Sequence, residues 1–278
     1  MNCCIEHLAR IMSLQSWEEV LMVMLTVAFD VSQDQPLRKH LVMAGFVSEA
    51  GRWGEFDQKW RARLKDDGFA YFHMQPFAQR KKPFQNLTEG GRKNLIRDLL
   101  DIIREHAYHK FACVVPSESF SALSVEAQQH FASTAIAAAG KFCAGLVYQW
   151  RDENHYQDRN PRFVFEQGDP GKGSLIKAME DLTGHTPSFE YKKDIPEKNI
   201  LAFTPLQASD ILAYECKKIA DKLGKPLAPD FRFRFPYEQL NKIPGEPRLF
   251  PLGNVAEADM LMQVDKYFAE HPLGGSVP

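Results

Sequence analysis

The pattern of apolar and polar residues predicts strands that first follow one another and then alternate with helices. Short apolar runs bounded by turn residues predict strands over residues 24–30, 40–48, 110–115, 163–166 and 199–203. Apolar residues at spacings of three and four predict helices over residues 51–67, 88–106, 124–150, 174–182, 205–223 and 255–268. This order indicates an α/β fold, with a mixed sheet flanked by helices and a helical insertion after the second strand.

The 278 residues contain no linker that would divide them into separate domains. We expect one domain over residues 24–224, preceded by an extension over 1–23. A C-terminal helical extension over 225–278 would pack on the same domain. Because Met24 opens the first predicted strand, we also expect native translation to begin there, which the intact mass of the natively expressed protein would test.

Composition narrows the class of protein. Apolar residues make up 44% of the chain and charged residues 25%, values typical of soluble globular proteins. A net charge of −2 excludes a strongly basic coat protein for nucleic acid, so nucleic acid would have to bind a local basic patch. The longest apolar run, residues 20–29, is too short to cross a membrane. Five cysteines without a C-x-x-C pair are typical of reduced thiols in a cytoplasmic protein.

Three carboxylates fall at positions that such a sheet would bring to one edge. Asp30 ends the first strand, Glu166 ends the strand after the long helix, and Asp210 lies one turn into the helix after the last predicted strand. Strand ends in α/β sheets face the crevice in which ligands usually bind. The alternative is that these are ordinary capping or surface acids, since the chain has 36 of them.

Carboxylate oxygens are the ligands that Mg²⁺ and Mn²⁺ prefer. Two such ions about 4 Å apart can activate a water and stabilise the leaving oxygen in phosphodiester cleavage. The three acids therefore suggest a metal-dependent reaction at phosphate.

Six segments resemble a family of bacteria and phages called domain of unknown function 3800. They are the strand and D-x-S turn at 27–32, the second strand at 42–47, the W-x-x-F-x-x-x-W-x-x-x-L helix from Trp53 to Leu64, the F-H segment at 71–74, the acidic strand end at 164–169, and LQASDILAYE at 206–215. The last segment is close to the family signature L-Q-x-A-D-L-L-A-Y-E and is the most specific. Together the segments span about residues 24–224.

The resemblance implies a ribonuclease-H-like fold and a metal-dependent nuclease that acts on DNA or RNA with Mg²⁺ or Mn²⁺. It implies that Asp30 bridges the ions and that Glu166 and Asp210 each hold one. The family often has a second acid and a glycine where this chain has Val31 and Gln33.

Several other residues are candidates for the same site. His73, in the F-H segment, could act as an acid or base or contact a phosphate, or simply be a hydrogen-bonded histidine at a strand end. Lys172, in the glycine-rich turn 168–174, together with Ser32 and Gln207, could bind substrate. Glu215 matches the signature but lies nearer the buried stripe of its helix, as a supporting or structural acid would.

A basic run follows the F-H segment. Arg80, Lys81 and Lys82 lie between Phe77 and Phe84 and could hold a nucleic-acid backbone while a ring stacks on a base. A solvated loop is the more common role of such a charge run.

We therefore expect a hydrolase of phosphodiester bonds in nucleic acid. Two alternatives stay open. One is a non-catalytic module that binds nucleic acid or protein, for which Val31 would be a sign of a decayed site. The other is a metal-dependent phosphoesterase acting on a small nucleotide, which the near-neutral charge favours.

Overall fold

The α/β class and the mixed sheet are confirmed. The computed structural model describes residues 24–33, 40–122, 124–125, 128, 133–168, 171–221, 234–245 and 248–249. The predicted extension over 1–23, the helix over 255–268 and most of the region 225–278 lie outside these residues.

Six strands form one sheet in the order β5-β4-β1-β2-β3-β6. The strands are β1 (Leu25–Gln33), β2 (His40–Glu49), β3 (His109–Pro116), β4 (Arg162–Glu166), β5 (Ser188–Glu190) and β6 (Arg248–Leu249). β1, β2 and β3 pair antiparallel, whereas β4 is parallel to β1 and β5 is parallel to β4. β6 adds to β3 in the parallel sense.

Helices cover both faces of the sheet. The helices are α1 (Ala50–Asp66), α2 (Met74–Ala78), α3 (Glu89–His106), α4 (Ser117–Ala122), α5 (Ala135–Glu153), α6 (Lys172–Thr183), α7 (Pro205–Ala220) and α8 (Phe235–Leu240). Two apolar cores result, one on each side of the sheet. The α7 face contains Ala28, Ala44 and Val164 together with residues of α1, α3, α7 and α8. The α5 face contains Phe29 and Phe165 together with residues of α5 and α6.

The helical insertion lies between β2 and β3, as predicted, and packs on the α7 face. Its aromatic residues Trp53, Phe56 and Trp60 are fully buried, and the Trp53 indole donates to the Thr26 carbonyl over 2.9 Å. Thr88 caps α3 as expected, because its hydroxyl accepts from the Gly91 backbone amide at 3.0 Å.

Helix α7 is more deeply buried than its sequence pattern indicates. It packs against β1 and β2 beneath it and against α8 beside it, so buried residues occur on nearly every side of the helix. Even Asp210, which the pattern directs away from the apolar stripe, is only 7% exposed.

Three predicted elements were wrong. Residues 199–203 form no strand, and only an isolated bridge joins Ile195 to Ile200; the sheet edge is instead the three-residue strand β5. Helix α5 begins at Ala135, where Thr134 caps it, and not at residue 124. Strand β1 continues to Gln33, so Asp30 lies within the strand and not at its end; its pairing with β4 stops at Phe29, the residue before Asp30.

Among the described residues, none of the helices has the length and apolar content that a membrane crossing requires.

Candidate functional site

The register of the sheet brings Asp30 and Glu166 together. Phe29 pairs with Phe165 across β1 and β4, so Asp30 and Glu166 are the next residues along two neighbouring parallel strands. Side chains alternate between the two faces of a sheet. Because both phenylalanines lie on the α5 face, both carboxylates lie on the α7 face.

Helix α7 places Asp210 over the same strands. The hydroxyl of Ser209 donates to the Ala28 carbonyl at 2.8 Å, which holds this turn of the helix against β1. The structure thus brings together Asp30, Glu166 and Asp210, which come from three distant parts of the chain.

The three carboxylates converge on the ammonium group of Lys192. Its Nζ atom lies 2.9 Å from Asp30 Oδ1, 2.9 Å from Glu166 Oε2 and 3.3 Å from Asp210 Oδ1. The side chains of Lys192 and Asp30 are 9% and 1% exposed. A buried lysine therefore occupies the centre of the acidic cluster, and sequence reasoning missed it.

Two features hold Lys192 in place. It comes two residues after β5, whose last residue, Glu190, pairs with Glu166. Its backbone carbonyl accepts a hydrogen bond from the side-chain amide of Gln207. Had β5 been recognised in the sequence, the position of Lys192 beyond its carboxyl end would have indicated the same edge as Glu166.

A second set of contacts fixes Asp210 from the side of the insertion. The Met74 backbone amide, at the start of α2, donates to Asp210 Oδ2 at 2.6 Å. His73 Nε2 lies 3.7 Å from Asp210 Oδ1, and the imidazole is 37% exposed. His73 therefore lies at the rim of the acidic cluster, where its ring reaches solvent.

Burial and the crowding of charges set the ionisation of these groups. Burial, together with the neighbouring Asp210 and Glu166, raises the pKa of Asp30 well above its usual value, although Lys192 opposes the shift. For Asp210, burial acts to raise the pKa, but Lys192, His73 and the Met74 amide outweigh it and leave the pKa lowered. Burial acts to lower the pKa of Lys192, and the three carboxylates outweigh it and raise that pKa well above its usual value. Lys192 is therefore a cation in this site.

The cluster has an excess of negative charge. With all three carboxylates ionised, the single ammonium leaves the cluster with a net charge of −2. Buried charge is unfavourable unless it is neutralised. Burial and the neighbouring carboxylates raise the pKa of Asp30, and an added cation would relieve the excess of negative charge.

The donor set fits a divalent metal ion in its chemistry, because hard carboxylate oxygens are what Mg²⁺ and Mn²⁺ bind. Within the residues that the structure describes, however, no group of three histidine, cysteine or acidic side chains has an arrangement that could hold a metal directly. The oxygens stand at ammonium distances of 2.9–3.3 Å from Nζ. Direct Mg²⁺ ligation requires about 2.1 Å, so the oxygens would have to close in by about 1 Å.

Other predicted site residues lie elsewhere. Gln207 is 1% exposed and its amide is committed within the protein, since Oε1 accepts from Trp60 Nε1 and from the Phe72 amide, each at 2.8 Å. Lys172 donates to Gln167 Oε1 at 2.8 Å and lies over the ring of Phe189, which packs against the core of the α5 face. Neither residue presents its polar group to the acidic cluster.

Val31 and Ser32 follow the alternation of β1. Val31 packs against the core of the α5 face, opposite to the acids. A carboxylate at that position would point away from Asp30 and its partners, so Val31 removes no donor from this cluster. Ser32 lies on the same face as Asp30 and is partly buried.

Glu215 lies apart from the cluster. It is 1% exposed and pairs with Arg234 at 3.2 Å, near the exposed end of α8. Burial nevertheless raises the pKa of Glu215 to about 7, with Arg234 acting in the opposite direction. Its role is in the packing of α7.

The basic run next to α2 is exposed, but it offers no stacking surface. Lys81 and Lys82 are exposed, and Arg80 pairs with Glu89 at 2.7 Å. Phe77 and Phe84 are buried, and the guanidinium of Arg92 covers the ring of Phe77. Either ring would have to leave the core to stack on a base, so the run can contact a backbone but not bases in this way.

No family model matches the chain, and no curated protein matches its sequence. Solved structures with distant similarity include the following two. One is a chain of the PCNA:RNase HII complex from Archaeoglobus fulgidus, at 14% identity over 79% of this chain and 87% of that one, with a TM-score of 0.32. The other is ribonuclease H2 from Pyrococcus horikoshii OT3, at 14% identity over 87% of this chain and all of the other, with a TM-score of 0.34. Likeness at this level carries no argument about function.

Proposed function

We propose that the protein is a divalent-metal-dependent hydrolase of phosphodiester bonds in nucleic acid, built on a ribonuclease-H-like sheet. The observation that carries the proposal is the convergence of Asp30, Glu166 and Asp210 on one cation, beside the point where the pairing of β1 with β4 ends. Burying three carboxylates together opposes folding unless a cation compensates them. Such a cluster at a ligand-binding edge is therefore typical of a functional site.

Asp30, Glu166 and Asp210 would hold Mg²⁺ or Mn²⁺. When bound, the metal would supply an activated water and would stabilise charge on the phosphate. The chain's own part is to orient the carboxylates. The Met74 amide fixes one oxygen of Asp210, and the register of β1 and β4 sets Asp30 beside Glu166.

His73 would hold or move a proton at Nε2. It stands at the rim of the cluster, 3.7 Å from Asp210, and is open to solvent. An imidazole in this position can act as a general acid or base towards a leaving group.

The exposed basic run supports a polymeric substrate over a small nucleotide. Met74 contacts Asp210 at the start of α2, and Arg80 follows six residues later. The basic run therefore follows the far end of the short helix that begins beside Asp210. A nucleic-acid backbone bound at the acidic cluster and extending along α2 would meet these cations.

The experiment is cleavage of labelled single- and double-stranded DNA and RNA with and without Mn²⁺. We expect cleavage that needs the metal and is lost in Asp210→Asn. Asp181→Asn, a change of the same type at an exposed position on α6, is the matched control and should retain activity. Folded protein that binds Mn²⁺ but cleaves none of these substrates would overturn the proposal.

A second function, a non-catalytic module that binds nucleic acid, is favoured by one observation. Lys192 already neutralises part of the acidic cluster without a metal. In that case Mn²⁺ would leave the thermal midpoint of the wild type unchanged. Nucleic acid would still bind, with an affinity that falls steeply as salt rises.

A further inference from the structure

We infer that Lys192 is an internal competitor for the cation position, and that a divalent ion binds by displacing its ammonium from the three carboxylates. The inference rests on the proposed metal site and concerns how that site is filled. It assigns Lys192 the role of setting metal affinity, a role distinct from catalysis.

The geometry leaves room for one cation at a time. Nζ lies 2.9 Å from both Asp30 and Glu166, so it stands between the oxygens that a metal would have to draw together. A metal ligated by the same oxygens at about 2.1 Å would be in contact with the ammonium. Two cations this close repel strongly in a buried site, so both cannot remain.

The exchange requires movement of side chains only: the ammonium leaves and the carboxylates close in on the metal. The backbone of Lys192 is anchored because Gln207 donates to its carbonyl, and Gln207 is itself held by Trp60 and Phe72. The four-carbon stem of a lysine has several rotatable bonds, so the ammonium can change position while the backbone stays anchored. Solvent lies close on two sides, since Lys193 is exposed and His73, at the rim, is 37% exposed.

Competition of this kind weakens apparent metal binding. A metal that binds only the state with the lysine displaced has its affinity reduced by the fraction of molecules in that state. Removing the ammonium should therefore tighten metal binding. It should also leave the three carboxylates uncompensated, so the metal-free protein becomes less stable while the gain on adding metal becomes larger.

The first test compares Lys192→Gln with Lys193→Gln, the same change one residue away on an exposed side chain. By calorimetric titration with Mn²⁺ we expect Lys192→Gln to bind about tenfold more tightly than wild type, if about one molecule in ten has the lysine displaced. Lys193→Gln should bind as wild type does. Equal affinity in all three proteins would overturn the inference.

The second test uses the wild type and so does not depend on folding of a variant. Lysines are reductively methylated with and without Mg²⁺, and the modified peptides are measured by mass spectrometry. We expect Lys192 to be protected without Mg²⁺ and labelled with it, while Lys193 is labelled equally in both. The thermal midpoint measured in parallel reports whether Mg²⁺ binds at all.

The outcomes separate the two proposals. A rise in midpoint with Mg²⁺ while Lys192 stays protected overturns displacement and leaves the proposed metal-dependent function standing. No rise with Mg²⁺ or Mn²⁺, in wild type and in Lys192→Gln, overturns both. A rise only in Lys192→Gln supports the competition directly.

Discussion

The side-chain amide of Gln207 donates a hydrogen bond to the backbone carbonyl of Lys192. Helix α7 thereby anchors the loop whose lysine enters the acidic cluster. The same helix carries Asp210, so one element positions both an acid and the cation that it faces.

Gln207→Leu should destabilise the protein and loosen this loop. The substitution leaves the Trp60 indole and the Phe72 amide as buried donors without their acceptor. At about 1–3 kcal/mol for each donor, the free energy of unfolding should fall by about 2–6 kcal/mol in urea denaturation. Gln85→Leu, at an exposed position, is the control and should change it by less than about 0.5 kcal/mol. Equal effects of the two would show that the Gln207 network contributes little.

Asp30→Asn and Asp210→Asn should act in opposite directions on the metal-free protein at pH 7. Burial raises the pKa of Asp30, so its ionised form opposes folding. A neutral amide at this position removes that unfavourable contribution. Lys192, His73 and the Met74 amide stabilise the ionised form of Asp210 by more than burial destabilises it, so the pKa of Asp210 is lowered. Loss of that charge should therefore reduce the free energy of unfolding. We expect the unfolding free energy to rise or hold in Asp30→Asn and to fall by about 1–3 kcal/mol in Asp210→Asn. Both variants should lose the response to Mn²⁺. A matching loss of stability in both would contradict the assignment.

Glu215 should make stability depend on pH. Its pKa is about 7 in the folded protein, against 4.5 as the ordinary value, so the folded state binds a proton more strongly than the unfolded chain. The stability from this group is present below about pH 4.5 and is lost as the pH rises through 7. At 1.36 kcal/mol per pH unit, Glu215→Gln should raise the unfolding free energy at pH 8 by about 3 kcal/mol. Chemical denaturation at pH 5 and pH 8 measures this.

The control for Glu215 is Glu197→Gln, an exposed acid that should leave the pH profile unchanged. A profile of Glu215→Gln that keeps the wild-type slope between pH 5 and 8 would assign the dependence to another group.

The basic run should control how nucleic-acid binding depends on salt. Lys81→Gln with Lys82→Gln removes two exposed cations beside α2. If both contact phosphates, the slope of log affinity against log salt should become shallower by about 1 for each. Fluorescence anisotropy from 50 to 300 mM salt measures the slope.

Lys242→Gln removes a charge at the opposite end of the sheet, where Pro244 accepts a hydrogen bond from the Lys110 amide near the start of β3. That variant should keep the wild-type slope. An unchanged slope in the double variant would remove the basic run from the interface.

Much of the candidate site could be predicted from local patterns. The alternation in β1 puts Asp30 and Val31 on opposite faces, and the apolar runs of β1 and β4 end at or near their acids. These features are visible in the sequence because strand and helix periodicity depend on neighbouring residues only. The acids Asp30, Glu166 and Asp210 were chosen on that basis, and the structure brings them together.

The short edge strand β5 could not be predicted in the same way. Its three residues, Ser188–Glu190, are too few to show a period, and they become a strand only because β4 offers them a parallel edge. The segment 199–203 has the more strand-like composition, yet it forms a single bridge. Pairing with β4, which is distant in sequence, makes residues 188–190 the strand, and residues 199–203 have no such partner strand in the described part of the chain.

The sequence by itself determined the α/β class, the order of the major elements and which three acids the structure brings together. Only the tertiary structure decided that Lys192 stands among those acids, that Gln207 is structural, and that Lys172 serves the other face. The physical reason is the separation along the sequence of the residues that interact. Periodicity and capping depend on residues that are close in sequence. The partners of a buried charge come from distant parts of the chain, and only the packing of the core brings them together.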